Sequence, residues 1–447
     1  MRYVFLVLAA CICQSLNAQP IYTSGQAAED LQHLITFIKE NHPDLEIHAP
    51  DFDRKSQEIV QHIDGPLDAF ELFKKISAIA TLAKENHYDL GNWEDEVHAG
   101  ILDNSFAYFP FYVRVLDNGV FVYRNLSNKH KIKPGDRIIS INGRSIEDIL
   151  EELYRHIPSD ADIETYRQRL LGLTFGWMYY LYIERPESFD IQFARGGEAY
   201  GLTVAAQTNE EFVANYKSNP NGPESPNFSG PDEVYSFVIS DDHALLTLRS
   251  FSRGNIEEFN IKSKKLYKEI FRRLEEENIA NFIVDLRNNT GGRNEFADDL
   301  LPYINRHGAE GIYKTSISWE GKVREYKLPG PDKYVFQGNI YVLVNGRTYS
   351  NGSTVARSLR EYADAVIIGE ESGTRYEGFV AGSKNSVILP NSGFRINVPR
   401  YAYRFPPSTI QTERDRGLLP DHIVKPSMND ILNQKDPVME YALKLIE

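Results

Sequence analysis

Between His243 and Asp421, short apolar runs alternate with segments of helical periodicity, and this alternation limits the fold more than any other feature of the chain. "HALLTLRSF" precedes "IEEFNIKSKKLYKEIFRRLEEEN", whose apolar spacing predicts one long amphipathic helix. "NFIVDLR" leads through Gly291-Gly292 to a helix around Phe296 to Ile304. "NIYVLVN" leads to a helix after Ser350, and "AVIIGE" follows. Strands of this kind separated by helices predict an α/β domain with much parallel sheet. In such sheets, sites collect at the carboxyl ends of strands, where helix N-termini point their N–H groups. "VDLRNNTGG" ends in a glycine pair, where backbone can approach a ligand closely. "YVLVNGRTYSNG" ends in Ser350 and Asn351. Ser350 is then either the cap of the next helix, accepting an orphan N–H, or a nucleophile. If the two strands are neighbours, N–H groups near Gly291, Gly292 and Asn351 have the composition of an oxyanion hole.

The 447 residues are too many for one ordinary core and predict several domains. Residues 1–18 read as a secretory signal: one Arg, an apolar stretch from Tyr3 to Cys13, and a small residue at Ala18. "LAAC" also resembles a lipoprotein box that would leave Cys11 lipidated, an alternative to cleavage after Ala18. Both cysteines, Cys11 and Cys13, lie in this signal, so a chain cut after Ala18 has no disulfide, thiol chemistry or Cys-based zinc site. Residues 19–100 carry helical periodicity, with Leu31, Leu34, Ile35 and Ile38 in one run and Phe70, Leu72, Phe73, Ile76 and Ile79 in the next. From 101 to 208 the pattern alternates, with a hairpin signal at Asp117-Asn118-Gly119 and an aromatic-rich stretch in which Phe175, Trp177, Tyr179 and Tyr180 read as core. Residues 209–234, rich in Pro, Gly, Ser and Asn, read as a linker or surface loop, and 235–447 form the α/β domain. A formal charge of −14 and the lack of any basic run argue against nucleic acid as a partner. No phosphate loop, zinc signature or dinucleotide fingerprint is present, so no metal or organic cofactor is expected.

Taken together, "VDLRNNTGG", "VNGRTYSNGSTVARSLREYADAVIIGEESG" and "GLLPD" resemble the tail-specific and C-terminal-processing serine peptidases, a family that includes the tricorn core. "IKPGDRIISINGRSIEDILEEL" resembles the second half of a PDZ domain. The motifs are most similar to the secreted, Bacteroidetes-type branch. The resemblance implies a helical N-terminal region, a PDZ-like module and a crotonase/ClpP-like α/β catalytic domain acting on polypeptides, with Ser350 as nucleophile. In the processing branch the base is a lysine 25 residues after the serine. Here that position is Arg375, whose guanidinium stays protonated, and the next lysine is Lys384. The tricorn-like branch uses a histidine from the N-terminal part, and His87 in "ENHY" fits that place, although a bare histidine there would be a helix-end residue. An ordinary imidazole would make activity rise with an apparent pKa of about 6–7. A carboxylate shortly before "G–x–x–PD" is implied as the histidine's partner: Glu413 first, Asp415 second, with an exposed charged turn as the plain alternative. The rival functions are a peptide-binding protein that keeps the scaffold without catalysis, and a serine esterase.

Overall fold

Thr23 and Asp68 each start a long helix through a capping box, Thr23 with Gln26 and Asp68 with Glu71. The helices are α1 (Ser24–Asn41) and α3 (Ala69–Leu82), with α2 (Phe52–Gln61) between them. Their periodic positions Leu31, Leu34, Ile38, Leu72, Phe73 and Ile76 are fully buried. Burial of such side chains contributes about 1.5–3 kcal/mol each. The computed structural model describes residues 20–91, 96, 97, 100, 104–218 and 233–447. The expected signal 1–18, with Cys11 and Ala18, and residues 219–232 of the expected linker lie outside the described residues.

A second layer holds an antiparallel sheet of β1 (Phe111–Leu116), β2 (Gly119–Asn125), β3 (Arg137–Ile141), β4 (Ser188–Arg195) and β5 (Glu198–Ala205), in that order, with α4 (Ile146–Tyr154) and α5 (Glu164–Tyr182). The hairpin turns at Asp117-Asn118, as the sequence predicts. The aromatic stretch is the helix α5, and Phe175, Tyr179 and Tyr180 are buried in the core while Trp177 packs against it half-buried. Asn209–Ser218 is a helix, which corrects the expectation of a linker beginning at 209. Phe212 anchors it in the core, and Glu210 and Glu211 in its first turn suit a helix N-terminus.

The α/β domain contains a six-stranded sheet. Its strands are β6 (Tyr235–Ile239), β7 (Ala244–Leu248), β8 (Asn281–Asp285), β11 (Asn339–Val344), β12 (Val366–Gly369) and β15 (His422–Ile423), lying in the order β15-β12-β11-β8-β7-β6. All pairs are parallel except β6–β7. The predicted long helix is two: Arg253–Glu258 and α6 (Ser263–Glu276), because the chain turns at Asn260 with φ 49°. The helix expected over 296–304 is likewise split into Glu295–Asp298 and Leu301–Ile304. Leu266, Tyr267, Ile270 and Leu274 of α6 cover one face of the sheet, and Val438 and Ala442 of α8 (Pro437–Ile446) cover the other. A further antiparallel sheet joins β9 (Ile312–Ser318), β10 (Val323–Lys327), β13 (Gly378–Ile388) and β14 (Arg395–Arg404). The β13–β14 hairpin reaches the N-terminal helices, placing Val387, Leu389, Phe394, Ile396 and Val398 in their core. This crossing brings the loop after α3 against the ends of β8 and β11.

Candidate active site

Ser350 stands between β11 and α7 (Asn351–Ala363), at the cap position, yet its side chain makes no capping bond. Its backbone is held at φ 54° and ψ −125°, a conformation that costs a non-glycine residue on the order of 1–3 kcal/mol. Two contacts over-determine it. Thr374 Oγ1 accepts the Ser350 N–H at 2.6 Å, and Gly291 lies so close that a Cβ there would stand 2.8 Å from Ser350 Cβ and 2.6 Å from Asn351 N. Asp285 of β8 pairs with Leu343 of β11, so the two strand ends are the neighbours the sequence reading requires. Of the three predicted oxyanion donors, Gly291 has its N–H turned to Asn289 Oδ1 at 2.9 Å. The N–H groups of Gly292 and Asn351 have no partner among the described residues. Gly291 is therefore a spacer that admits the serine turn, and Gly292 and Asn351 carry the free donors.

His87 follows α3, where Lys84 at φ 55° ends the helix and turns the chain toward the sheet. Its Nε2 stands 3.2 Å from Ser350 Oγ. The ring is stacked on Phe379 of β13 at 5.6 Å and tilted against Tyr349 at 4.7 Å. The Nδ1 side faces Glu85 Oε1 at 3.0 Å and the Tyr349 hydroxyl. A carboxylate only accepts, so Glu85 fixes the proton on Nδ1 and leaves the Nε2 lone pair for the serine. Burial lowers the His87 pKa to about 4, opposed by the negative charge of the carboxyl pair that includes Asp160 and aided by Lys384. The imidazole is thus neutral at any ordinary pH.

The carboxylate beside the imidazole is Glu85, not Glu413 or Asp415. Glu413 is exposed, and Asp415 accepts from Arg375 Nε at 3.2 Å. Arg375, whose side chain is fully buried, also donates from Nη2 to Lys84 O at 2.8 Å. Its guanidinium therefore stands between the 413–415 turn and the histidine loop. The sequence reading missed two residues here, Glu85 and Asp160. Glu85 Oε2 accepts the Val380 N–H at 2.6 Å, and Asp160 accepts the N–H groups of Asn86 at 3.0 Å and Arg375 at 3.1 Å. Burial raises both carboxyls, Asp160 well above the usual carboxylate range, with Glu85 beside it as the next cause. One signal was available for Glu85, its place two residues before His87. Nothing in "PSDADIE" marks Asp160.

Glu85, His87 and Asp160 offer donor atoms within 4.8 Å of one another, the one such three-residue group among the described residues. Their donor atoms already face N–H and O–H groups: Glu85 those of Val380 and His87, Asp160 those of Asn86 and Arg375, His87 that of Ser350. A cluster spent in this way fits an orienting network better than a cation site.

The strained serine, the histidine and the two free N–H groups at the carboxyl ends of parallel strands define a hydrolase-type α/β domain. Residues 242–424 match the model of peptidase family S41. The whole described chain is similar in fold to mature CPAF complexed with lactacystin, with 15% identity, TM-score 0.64, and 95% of this chain and 98% of that one covered. The structure of mature CPAF matches at 14% identity and TM-score 0.65, covering 95% of this chain and 96% of the other. No curated protein matches the sequence.

Proposed function

We propose that the mature chain is an exported serine endopeptidase that hydrolyses peptide bonds through an acyl-enzyme on Ser350. The observation that carries this reading is the 3.2 Å approach of His87 Nε2 to a serine whose side chain caps nothing. His87 Nε2 takes the Oγ proton as Oγ attacks the scissile carbonyl carbon. The Gly292 and Asn351 N–H groups receive the developing oxyanion, and the Glu85 carboxylate stabilises the imidazolium. The imidazolium then gives its proton to the leaving amine, and water repeats the sequence on the acyl ester. Export is supported by the sequence of residues 1–18.

A fluorophosphonate reports the activated serine directly. One stoichiometric adduct at Ser350 is expected, located by peptide mass spectrometry. Ser350→Ala should abolish labelling and lower kcat by about 10⁴–10⁶-fold. Ser353→Ala should keep the label, because Ser353 Oγ donates to Thr348 O at 2.7 Å and is turned from the histidine. Absence of any adduct in the folded protein across neutral to alkaline pH would leave a peptide-binding protein on a peptidase scaffold.

A further inference from the structure

β6 is the outer strand of the six-stranded sheet, and no strand among the described residues pairs with its free side. The bonds from Ser240 N–H to His243 O and from Arg249 N–H to Val234 O, both 2.8 Å, fix the phase of its hairpin with β7. Hydrogen-bonded pairs alternate along an antiparallel ladder. Tyr235, Phe237 and Ile239 therefore direct their N–H and C=O groups outward, and among the described residues none of these groups has a partner. Val238 on this strand is 55% exposed. No proline or charged residue interrupts the strand, so it lacks the usual protection of a sheet edge.

Beside this edge lies a groove of about 500 Å³, formed between Tyr235 and Phe237 of β6 and the flank of α6. The helix stripe along the groove reads Lys262, Lys265, Glu269 and Arg273, and Glu276 and Glu277 continue it at helical spacing. Read backward, this stripe is its own complement: Lys262 against Glu277, Lys265 against Glu276, Glu269 against Arg273. The order also runs against the helix macrodipole, with cations at the N-terminus and carboxylates at the C-terminus. Lys262 and Lys265 have no ion-pair partner among the described residues, while Arg272 pairs with Glu269 and Glu276, and Arg273 with Glu277, within the exposed helix. Arg273 lies 5.2 Å over the Phe237 ring, so the middle of the charged stripe sits beside the middle of the open strand.

We propose that two copies of this chain pair through β6, antiparallel about Phe237, with the two α6 helices side by side across the two-fold axis. Phe237 pairs with its symmetry equivalent, and Tyr235 of each copy pairs with Ile239 of the other. The outward groups are thereby satisfied in three hydrogen-bonded pairs, and the two sheets become continuous. A two-fold interface requires a self-complementary surface, and the α6 stripe is self-complementary in this orientation alone. A parallel arrangement would set lysine against lysine. The copies carry −14 each and repel at long range, so the local lysine–glutamate matches determine the orientation.

Sedimentation velocity of the full mature chain, at tens of micromolar and about 50 mM salt where charges are weakly screened, is expected to show a dimer. The double variant Lys262→Glu/Lys265→Glu should weaken it at least tenfold. Acidic residues suit a helix N-terminus, so the fold should melt no earlier and the loss belongs to association. Adding Glu276→Lys/Glu277→Lys to that variant should restore the dimer. Phe237→Pro should also separate the copies, since the N–H it removes points away from β7. A wild-type monomer under these conditions, or a dimer indifferent to the double reversal and to Phe237→Pro, overturns the proposal. Neither outcome depends on whether Ser350 is labelled by fluorophosphonate.

Discussion

Glu85 and Asp160 are buried side by side, which raises the pKa of both and of Asp160 most, and the donors around them decide which ionises first. Glu85 accepts from the Val380 N–H and from the imidazole, and Asn86 N–H also reaches its Oε1 at 2.9 Å. Asp160 has two backbone donors. The ionised form belongs to the group with more donors, so Glu85 is the carboxylate and Asp160 the acid that bonds to it. Glu85→Gln replaces an obligate acceptor by an amide that can donate, and the histidine loses its enforced tautomer. We expect kcat to fall by about 10²–10⁴-fold with little change in fold. Glu413→Gln should stay within about threefold on the same peptide assay, as an exposed carboxylate does. The pH dependence follows from the same group. The neutral imidazole is the base, and burial brings its pKa down to about 4. Activity should thus appear as pH rises through about 4, not through the 6–7 of an ordinary imidazole. The charged and titratable groups facing the ring are Glu85, Asp160, Tyr349 and, from β13, Lys384. A kcat/KM profile whose acid limb lies at 6–7 would contradict this environment. Ser350 and His87 were legible because each stands in a recognisable motif. Glu85 was not, because a glutamate at a helix end is ordinary until the fold buries it.

At the scale of elements, Arg375 joins three segments that the sequence keeps far apart. Its backbone N–H holds Asp160 before α5, its Nη2 holds the Lys84 carbonyl after α3, and its Nε holds Asp415 in the turn after β14. A lysine has one ammonium in place of this fork and cannot reach Lys84 O and Asp415 together. Arg375 cannot act as a base because its guanidinium stays protonated, and its role is to hold these segments together. Arg375→Lys should destabilise the protein by about 1–3 kcal/mol, as a buried polar group left without its hydrogen bond does. It should also lower kcat, because the Lys84 carbonyl, and with it the histidine loop, loses its anchor, and thermal melts alongside single-turnover labelling would resolve the two effects. An Arg375→Lys enzyme unchanged in both would refute the linkage. The elements that periodicity missed fail for comparable reasons. The helix Asn209–Ser218 is too polar to advertise itself and is secured by Phe212, and the long amphipathic run breaks at Asn260, a residue that tolerates positive φ.

Across the whole molecule, His87 and Ser350 are 263 positions apart, and their 3.2 Å separation depends on the packing between the N-terminal helices and the β13–β14 hairpin. Phe394 is the clearest part of that connection: it is 4% exposed and packs edge-on against Tyr22 at 6.4 Å and Phe73 at 5.9 Å. One hydrophobic cluster takes in α1, α3, the β1–β5 module and this hairpin, so separate melting of the N-terminal region would expose the core that holds the hairpin in place. We therefore expect loss of fluorophosphonate reactivity and loss of far-ultraviolet dichroism to coincide in urea. Phe394→Ala should cost about 3–5 kcal/mol and move both transitions together, since it empties the shared core and leaves the Ser350 turn untouched. A chain whose reactivity vanishes at far lower urea than its secondary structure would show that the histidine loop opens on its own. In that case the hairpin, although packed in the same core, would not govern the approach of base to nucleophile.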